Sequence, residues 1–193
     1  MTTTRLEAFS DGVIAILITI MVLELKTPVG HDWPALYGLA PTFCAYVLSF
    51  VFLGIYWNNH HHLLHMCERV SGGVLWANLH LLFWLSLVPF TTAWMGEAHL
   101  EALPTALYGG VLMMAGVAYF ILKTKLIAVQ GPSSRLQAAL GSDFKGKISV
   151  VIYLAAIVLA FVNTTIAAAL YIGVALMWLV PDQRIERRMS MHP

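Results

Sequence analysis

Long apolar segments recur along the chain and are separated by short polar stretches. A helix needs about 20 mostly apolar residues to cross the hydrocarbon core of a membrane, and six segments reach or approach that length. The pattern predicts membrane-spanning helices over residues 5–25, 34–57, 74–94, 103–122, 148–162 and 165–180. Only Asn163 and Thr164 separate the last two, which together are too long for one crossing, so they are predicted to form a tight hairpin.

The basic residues are distributed unequally between the two sides of this six-helix arrangement. Of the 11 Lys and Arg residues, all but Lys26 fall on one side. The residues on that side are Arg5, Arg69, Lys123, Lys125, Arg135, Lys145, Lys147, Arg184, Arg187 and Arg188. Loops rich in Lys and Arg face the cytoplasm, so the bias predicts that both termini are cytoplasmic. Adding or removing one helix would scramble the asymmetry, which therefore also supports a count of six.

The composition agrees with a membrane protein. Hydrophobic residues make up 59% of the 193 residues and charged residues only 11%, against about 25% charged in soluble domains. The net charge of +1 predicts no nucleic-acid partner. The patterns of phosphate-binding loops, zinc proteases and serine hydrolases are absent from the sequence, so no enzymatic function is predicted. We expect one all-α membrane domain over residues 1–193.

The first predicted helix carries an acidic residue near its cytoplasmic end. An ionised carboxylate at Asp11 is costly there unless it is paired or hydrated. Arg5, the histidine run 60–62 and Asn78 are candidate partners in a folded bundle. The alternative is that Asp11 faces cytoplasmic water. A pair at Thr4 and Glu7 has the spacing of a capping box, which predicts that the helix begins at Arg5.

An apolar stripe follows Asp11 along the same helix. Ile16, Ile20 and Leu23 have the spacing that places side chains on one helix face. Such a stripe is more often explained by packing or lipid contact than by a pore. Thr19 can donate a hydrogen bond to the carbonyl of Ala15, so it needs no function of its own.

Three stretches of the sequence together resemble the transmembrane protein 175 family of potassium channels. The first is the run Arg5-x-x-x-Phe9-Ser10-Asp11 with the apolar stripe behind it. The second is the run from Trp57 to His61, which is similar to the family's Trp-x-x-His-His pattern. The third is Asn78 together with the run Leu87-Val88-Pro89-Phe90. The resemblance is sharp over roughly the first 95 residues and only topological afterwards.

The resemblance implies a fold and a function. A single six-helix repeat implies a prokaryotic member that forms a four-fold homotetramer in the bacterial plasma membrane, with the first helix of each copy lining a pore for potassium and related monovalent cations. Ile16 would form the main constriction, Ile20 and Leu23 would lie above it, and Thr19 would help to select potassium. The signature residues would form a structural network of Arg5, Phe9, Ser10, Asp11, Trp57, His60, His61 and Asn78. No cofactor or resident metal is expected.

The chain lacks a TVGYG sequence, so a ring of backbone carbonyls of that kind is not available as a filter. A ring of isoleucines would instead close the pore by excluding water. Without a rigid coordination site, we expect modest selectivity for potassium over sodium. No Arg-rich helix is present to act as a voltage sensor.

The histidines leave two other hypotheses open. The run 60–62 with His65 and His80 could bind a metal or haem, as in a membrane enzyme or electron carrier. A proton-coupled transporter would instead require inverted repeats and ionisable residues at mid-membrane, and neither is evident in the sequence. Haem absorbance of the purified protein and ion flux from liposomes would separate these hypotheses from a channel.

Overall fold

The computed structural model describes residues 3–67, 69–131 and 144–179, and the regular elements in these ranges are helices. These described ranges contain eight α-helices. They are α1 (Thr3–Met21), α2 (Trp33–Tyr37), α3 (Ala40–His65), α4 (Gly72–Ser86), α5 (Val88–Glu97), α6 (Ala102–Gln130), α7 (Phe144–Ala160) and α8 (Thr164–Leu179). A short 3-10 helix over Val22–Glu24 extends α1.

The helix predicted over residues 5–25 begins earlier than expected. Because α1 already includes Thr3, Thr4 lies inside the helix and does not cap it, so the predicted capping box is wrong. The regular α-helix ends at Met21, and the tighter 3-10 turn carries the chain to Glu24.

The helix predicted over residues 34–57 is two helices in the structure. Asp32 caps α2, accepting a hydrogen bond from the Ala35 amide over 3.0 Å. Pro41 lies in the first turn of α3, where its missing N–H costs nothing, but its ring disfavours a continuous helix through the residues before it. At the other end α3 continues to His65 rather than stopping at Trp57. The apolar pattern ends at Trp57, whereas the backbone hydrogen bonds do not require apolar side chains.

The segment predicted as one helix over residues 74–94 is interrupted at Leu87. Pro89 lies in the first turn of α5 and cannot donate the hydrogen bond that would continue α4. Together α4 and α5 form one rod over Gly72–Glu97, which is longer than the predicted helix at both ends. Ser71 caps it, accepting a hydrogen bond from the Val74 amide over 3.4 Å.

The helix predicted over residues 103–122 runs on to Gln130, past the charged residues Lys123 and Lys125. It stops at Gly131, whose φ of 90° is readily adopted only by glycine. The residues from Lys123 to Gln130, which the hydropathy pattern left outside the predicted spans, are therefore helical, and α7 already covers Lys145 and Lys147.

The last two predicted helices, 148–162 and 165–180, correspond to α7 and α8. The first begins and ends earlier than predicted, at Phe144 and Ala160. Asn163 caps α8, because its side-chain oxygen accepts hydrogen bonds from the amides of Thr165 (3.0 Å) and Ile166 (3.2 Å). Residue 180 lies outside the described residues.

Four rods in the described part of the chain are long and apolar enough to cross a membrane: Thr3–Glu24, Ala40–His65, Gly72–Glu97 and Ala102–Gln130. The helix Thr164–Leu179 is apolar but shorter. A 16-residue helix is about 24 Å long, somewhat less than the hydrocarbon core.

The rods pack as a bundle in which α6 is central. It contacts α4, α5, α7 and α8, while α1 packs against α3, α4 and α5. Gly96 allows α5 to lie close to α3, since a Cβ atom there would be 2.6 Å from the Cα of Thr42. At the same end, Lys26 forms an ion pair with Glu97 over 2.6 Å, and this hydrogen bond raises the pKa of Lys26.

Candidate functional site

The first helix has two faces with opposite surroundings. One face is buried against the bundle and the other is exposed. The buried residues are Leu6, Ser10, Ile14, Leu17 and Met21. The exposed face carries Arg5, Phe9, Gly12, Ile16, Thr19, Ile20 and Leu23. Both sets recur every three or four residues, so each forms a continuous stripe along the helix. We call the second set the exposed stripe.

Three fully buried polar side chains join the N-terminal half of α1 to α3 and α4. Asn78 donates a hydrogen bond from Nδ2 to Ser10 Oγ over 2.8 Å. Ser10 in turn donates to the carbonyl of Leu6 over 2.8 Å. His60 Nε2 lies 2.7 Å from Asn78 Oδ1. Each of the three side chains is 0% exposed, so their mutual hydrogen bonds replace water.

This order of donors determines the tautomer of His60. Because the Asn78 amide nitrogen donates to Ser10, its oxygen is the atom that faces His60 and must accept a hydrogen bond. His60 therefore carries its hydrogen on Nε2. Its Nδ1 is buried without a hydrogen-bond partner among the described residues, as expected of the unprotonated nitrogen of a neutral ring.

We call the hydrogen-bonded chain of His60, Asn78 and Ser10 the relay. A second layer of polar contacts lies beside it. Trp57 donates from Nε1 to Asp11 Oδ1 over 3.0 Å, and His61 Nδ1 lies 2.8 Å from Glu7 Oε1. The ring of His61 stacks on Trp57, one turn before it in α3, with centroids 6.1 Å apart. Both carboxylates of α1 are thus bound by side chains of α3.

The structure brings together Ser10, Asp11, Trp57, His60, His61 and Asn78 of the predicted network. Arg5 and Phe9 are not part of it. Both lie on the exposed stripe, and Arg5 makes no hydrogen bond or ion pair within the described residues.

Glu7 is a member of the network that the sequence analysis did not select. It lies one helical turn before Asp11 and therefore on the same flank of α1. That spacing could have identified it.

One group of three potential metal ligands occurs in the described ranges: Glu7, Asp11 and His61, whose ligand atoms lie within 4.8 Å of one another. Structural zinc sites usually have four protein ligands. Here the acidic groups already accept hydrogen bonds from His61 and Trp57, so side-chain pairing accounts for the cluster. His80 is separate from it and accepts a hydrogen bond from Trp84 over 2.9 Å.

The residues predicted to line a pore all lie on the exposed stripe. Ile16 is 57% exposed and Leu23 is 77% exposed, with Ile20 and Thr19 between them. The hydroxyl of Thr19 donates to the backbone carbonyls of Ile16 (2.9 Å) and Ala15 (3.1 Å), which leaves its oxygen lone pairs directed outward. Their role in a pore stays a prediction, since exposure in one copy is equally compatible with lipid.

We expect Asn78→Leu to lower the free energy of unfolding by about 1–3 kcal/mol, because it leaves the buried Nε2–H of His60 without an acceptor. Unfolding in mixed micelles of a mild detergent and sodium dodecyl sulfate measures the change. Asn58→Leu is the matched control, since Asn58 is exposed on the same α3. Equal loss of stability in the two variants would show that the relay has no special role.

Comparisons with known proteins agree with this architecture. Residues 5–89 match the family model described as "Endosomal/lysosomal potassium channel TMEM175". A protein of Chryseobacterium sp. (strain P1-3) named a potassium channel is 52% identical over 98% of this chain and 99% of its own length. Another potassium channel, from Streptomyces collinus, is 37% identical over 60% of each chain.

A solved structure has the same fold. The crystal structure of a lysosomal potassium-selective channel TMEM175 homolog from Chamaesiphon minutus superposes with a TM-score of 0.80 at 26% identity, covering 92% of this chain and 96% of that one. The long apolar rods make this chain a multi-pass membrane protein. With a relative that is 52% identical almost from end to end, a matching family model and the same fold, the chain belongs to the TMEM175 family.

Proposed function

We propose that this protein is a potassium channel of the bacterial plasma membrane, in which four copies meet around an axis and the exposed stripes of their α1 helices line the pore. The observation that carries the proposal is the division of α1 into two faces. One face is held by the relay to Asn78 and His60, and the other is not covered by the described residues of its own chain. The names of the relatives supply the ion, and membership of the family supports a channel.

The exposed stripe has the chemistry of a hydrophobic gate. Ile16, Ile20 and Leu23 present branched apolar side chains at successive turns. Four copies make three rings of these side chains; when the rings are narrow, water leaves the constriction and ions cannot pass, and a small widening rewets it. Ile16 forms the main constriction in this proposal, and the hydroxyl of Thr19, one turn further along, contacts permeating cations.

An acidic group at the outer end of α1 suits the passage of cations. Glu24 is exposed there next to Leu23, whereas Glu7 and Asp11 at the inner end are held by His61 and Trp57 of α3. Acidic groups at a pore mouth raise the local concentration of cations. With both termini in the cytoplasm, the chain crosses the membrane six times. The four long rods make the first four crossings, and the two shorter helices α7 and α8 make the last two.

Replacing Ile16 by Asn tests the constriction. A polar ring is more easily wetted, so we expect potassium flux from liposomes to rise several-fold or its selectivity over sodium to fall. Ile172→Asn is the matched control, because Ile172 is also an exposed isoleucine but lies on α8. Unchanged flux in Ile16→Asn would show that the constriction is elsewhere, and absence of potassium flux from all three proteins would contradict the channel proposal.

A cysteine at position 16 tests the four-fold arrangement. In a chain carrying Cys44→Ser, we expect Ile16→Cys to form disulfides between copies under mild oxidation, because the four side chains converge on one axis. Gel electrophoresis without reductant measures the covalent dimers. Ile172→Cys in the same background should remain monomeric, and equal cross-linking of the two variants would refute convergence at Ile16.

Thr19→Val tests the role of the hydroxyl in ion selection. The isosteric change removes the oxygen, so we expect the ratio of potassium to sodium permeability to fall while the pore stays open. Thr124→Val is the matched control: Thr124 is exposed on α6 and likewise donates to a backbone carbonyl one turn earlier, that of Phe120, over 2.8 Å. Reversal potentials in planar bilayers measure the ratio, and an unchanged ratio in Thr19→Val would remove this residue from the selectivity mechanism.

A further inference from the structure

A cavity of about 340 Å³ lies between α3, α6, α7 and α8, on the side of α3 that faces away from the polar network. Its volume is near the lower limit for pockets that hold a drug-sized ligand, so one chain of a larger molecule fits more readily than a whole lipid. It is separate from the exposed stripe of α1, since no residue of α1 lines it.

The lining changes in character along the cavity. At one end are Phe52, Gly116 and Tyr153, each near the middle of its helix. At the other end are Asn59, Lys147 and Trp178, each within two turns of the end of its helix on the basic side of the bundle. The cavity therefore extends from the middle of the membrane to the cytoplasmic interface, apolar at its deep end and polar at its mouth.

Several polar groups of the wall are already used within the protein. Trp178 donates from Nε1 to Ser149 Oγ over 2.9 Å, and the hydroxyl of Tyr56 donates to the Leu112 carbonyl over 3.4 Å. The deep end offers mainly hydrocarbon and aromatic surface, to which Tyr153 adds one hydroxyl group. Lys147, in contrast, is exposed at the mouth and makes no ion pair with the described residues, so its ammonium group is available to an anion.

We propose that this cavity binds one acyl chain of an anionic phospholipid from the cytoplasmic leaflet, with the lipid phosphate paired to Lys147. An amphiphile whose charge lies at the interface and whose chain points into the membrane matches both the polarity gradient and the charge of the mouth. Basic pockets between helices on the cytoplasmic side are a known setting for anionic headgroups. The proposal rests on the membrane orientation given above but not on ion conduction.

Native mass spectrometry of the detergent-purified assembly, titrated with phosphatidylglycerol or phosphatidylcholine of identical chains, tests the charge. We expect Lys147→Gln to weaken phosphatidylglycerol binding about fivefold, equivalent to about 1 kcal/mol per basic residue near the surface, and to leave phosphatidylcholine unchanged. Lys125→Gln is the matched control, because Lys125 is exposed on the same side and does not line the cavity. Equal binding of both lipids by the wild type, or equal effects of the two substitutions, would overturn the proposal.

Gly116→Leu tests the acyl-chain end. A Cβ atom at Gly116 would lie 3.7 Å from the Tyr56 hydroxyl, an ordinary contact, so the larger side chain extends into the cavity. We expect binding of both lipids to fall, whereas Gly173→Leu, at an open position of α8, should bind like the wild type. Retained lipid binding in Gly116→Leu would refute the proposal. A change in the mass of the lipid-free Gly116→Leu assembly would also refute it, because it would indicate that a neighbouring copy, and not a lipid, occupies the cavity.

Potassium flux separates this proposal from the channel proposal. A protein that discriminates the lipids but conducts no potassium would contradict only the channel. A conducting protein without lipid discrimination would contradict only the lipid site.

Discussion

The hydrogen-bonded relay from His60 through Asn78 to Ser10 determines how α1 sits in the bundle. Its side chains come from three helices and are completely buried, so rotating or sliding α1 would leave polar atoms without partners in an apolar environment. The contact of His61 with Glu7 and the contact of Trp57 with Asp11 reinforce the same register from the flank. Once this face is held, the direction of the opposite face follows.

The proposed gate depends on that orientation. A hydrophobic constriction works only when identical side chains meet at the same depth, so each copy must present Ile16 at one defined angle. The relay fixes this angle within each subunit, through Ser10 in the N-terminal half of α1. The residues beyond it, toward Leu23, are held by apolar packing alone through Ile14, Leu17 and Met21. The helix α1 is therefore fixed most firmly on the N-terminal side of Ile16.

The helix α3 connects the polar contacts that hold α1 with the cavity on its other side. Trp57 and His61 contact α1 and His60 contacts Asn78 of α4, while Phe52, Tyr56 and Asn59 line the cavity between α3, α6, α7 and α8. Both sets lie within the last four turns of α3. The proposed occupant of the cavity and the side chains that hold α1 therefore contact the same helix. Regular backbone hydrogen bonding continues past Trp57, and this extension places the histidines opposite α1.

The sequence by itself determined that the chain is an all-helical membrane protein of this family, because apolar runs of that length and the Arg5 to Asp11 signature do not depend on how the helices pack. The sequence did not predict the helix ends at His65 and Gln130. Apolar residues mark only the part of a helix that lies in the membrane, whereas backbone hydrogen bonds can continue the helix beyond it. Only the tertiary structure decided that Ser10 faces inward while Arg5 and Phe9 face outward, and that Glu7 joins His61. Those outcomes depend on the depth and angle at which α1, α3 and α4 cross, which no single helix encodes.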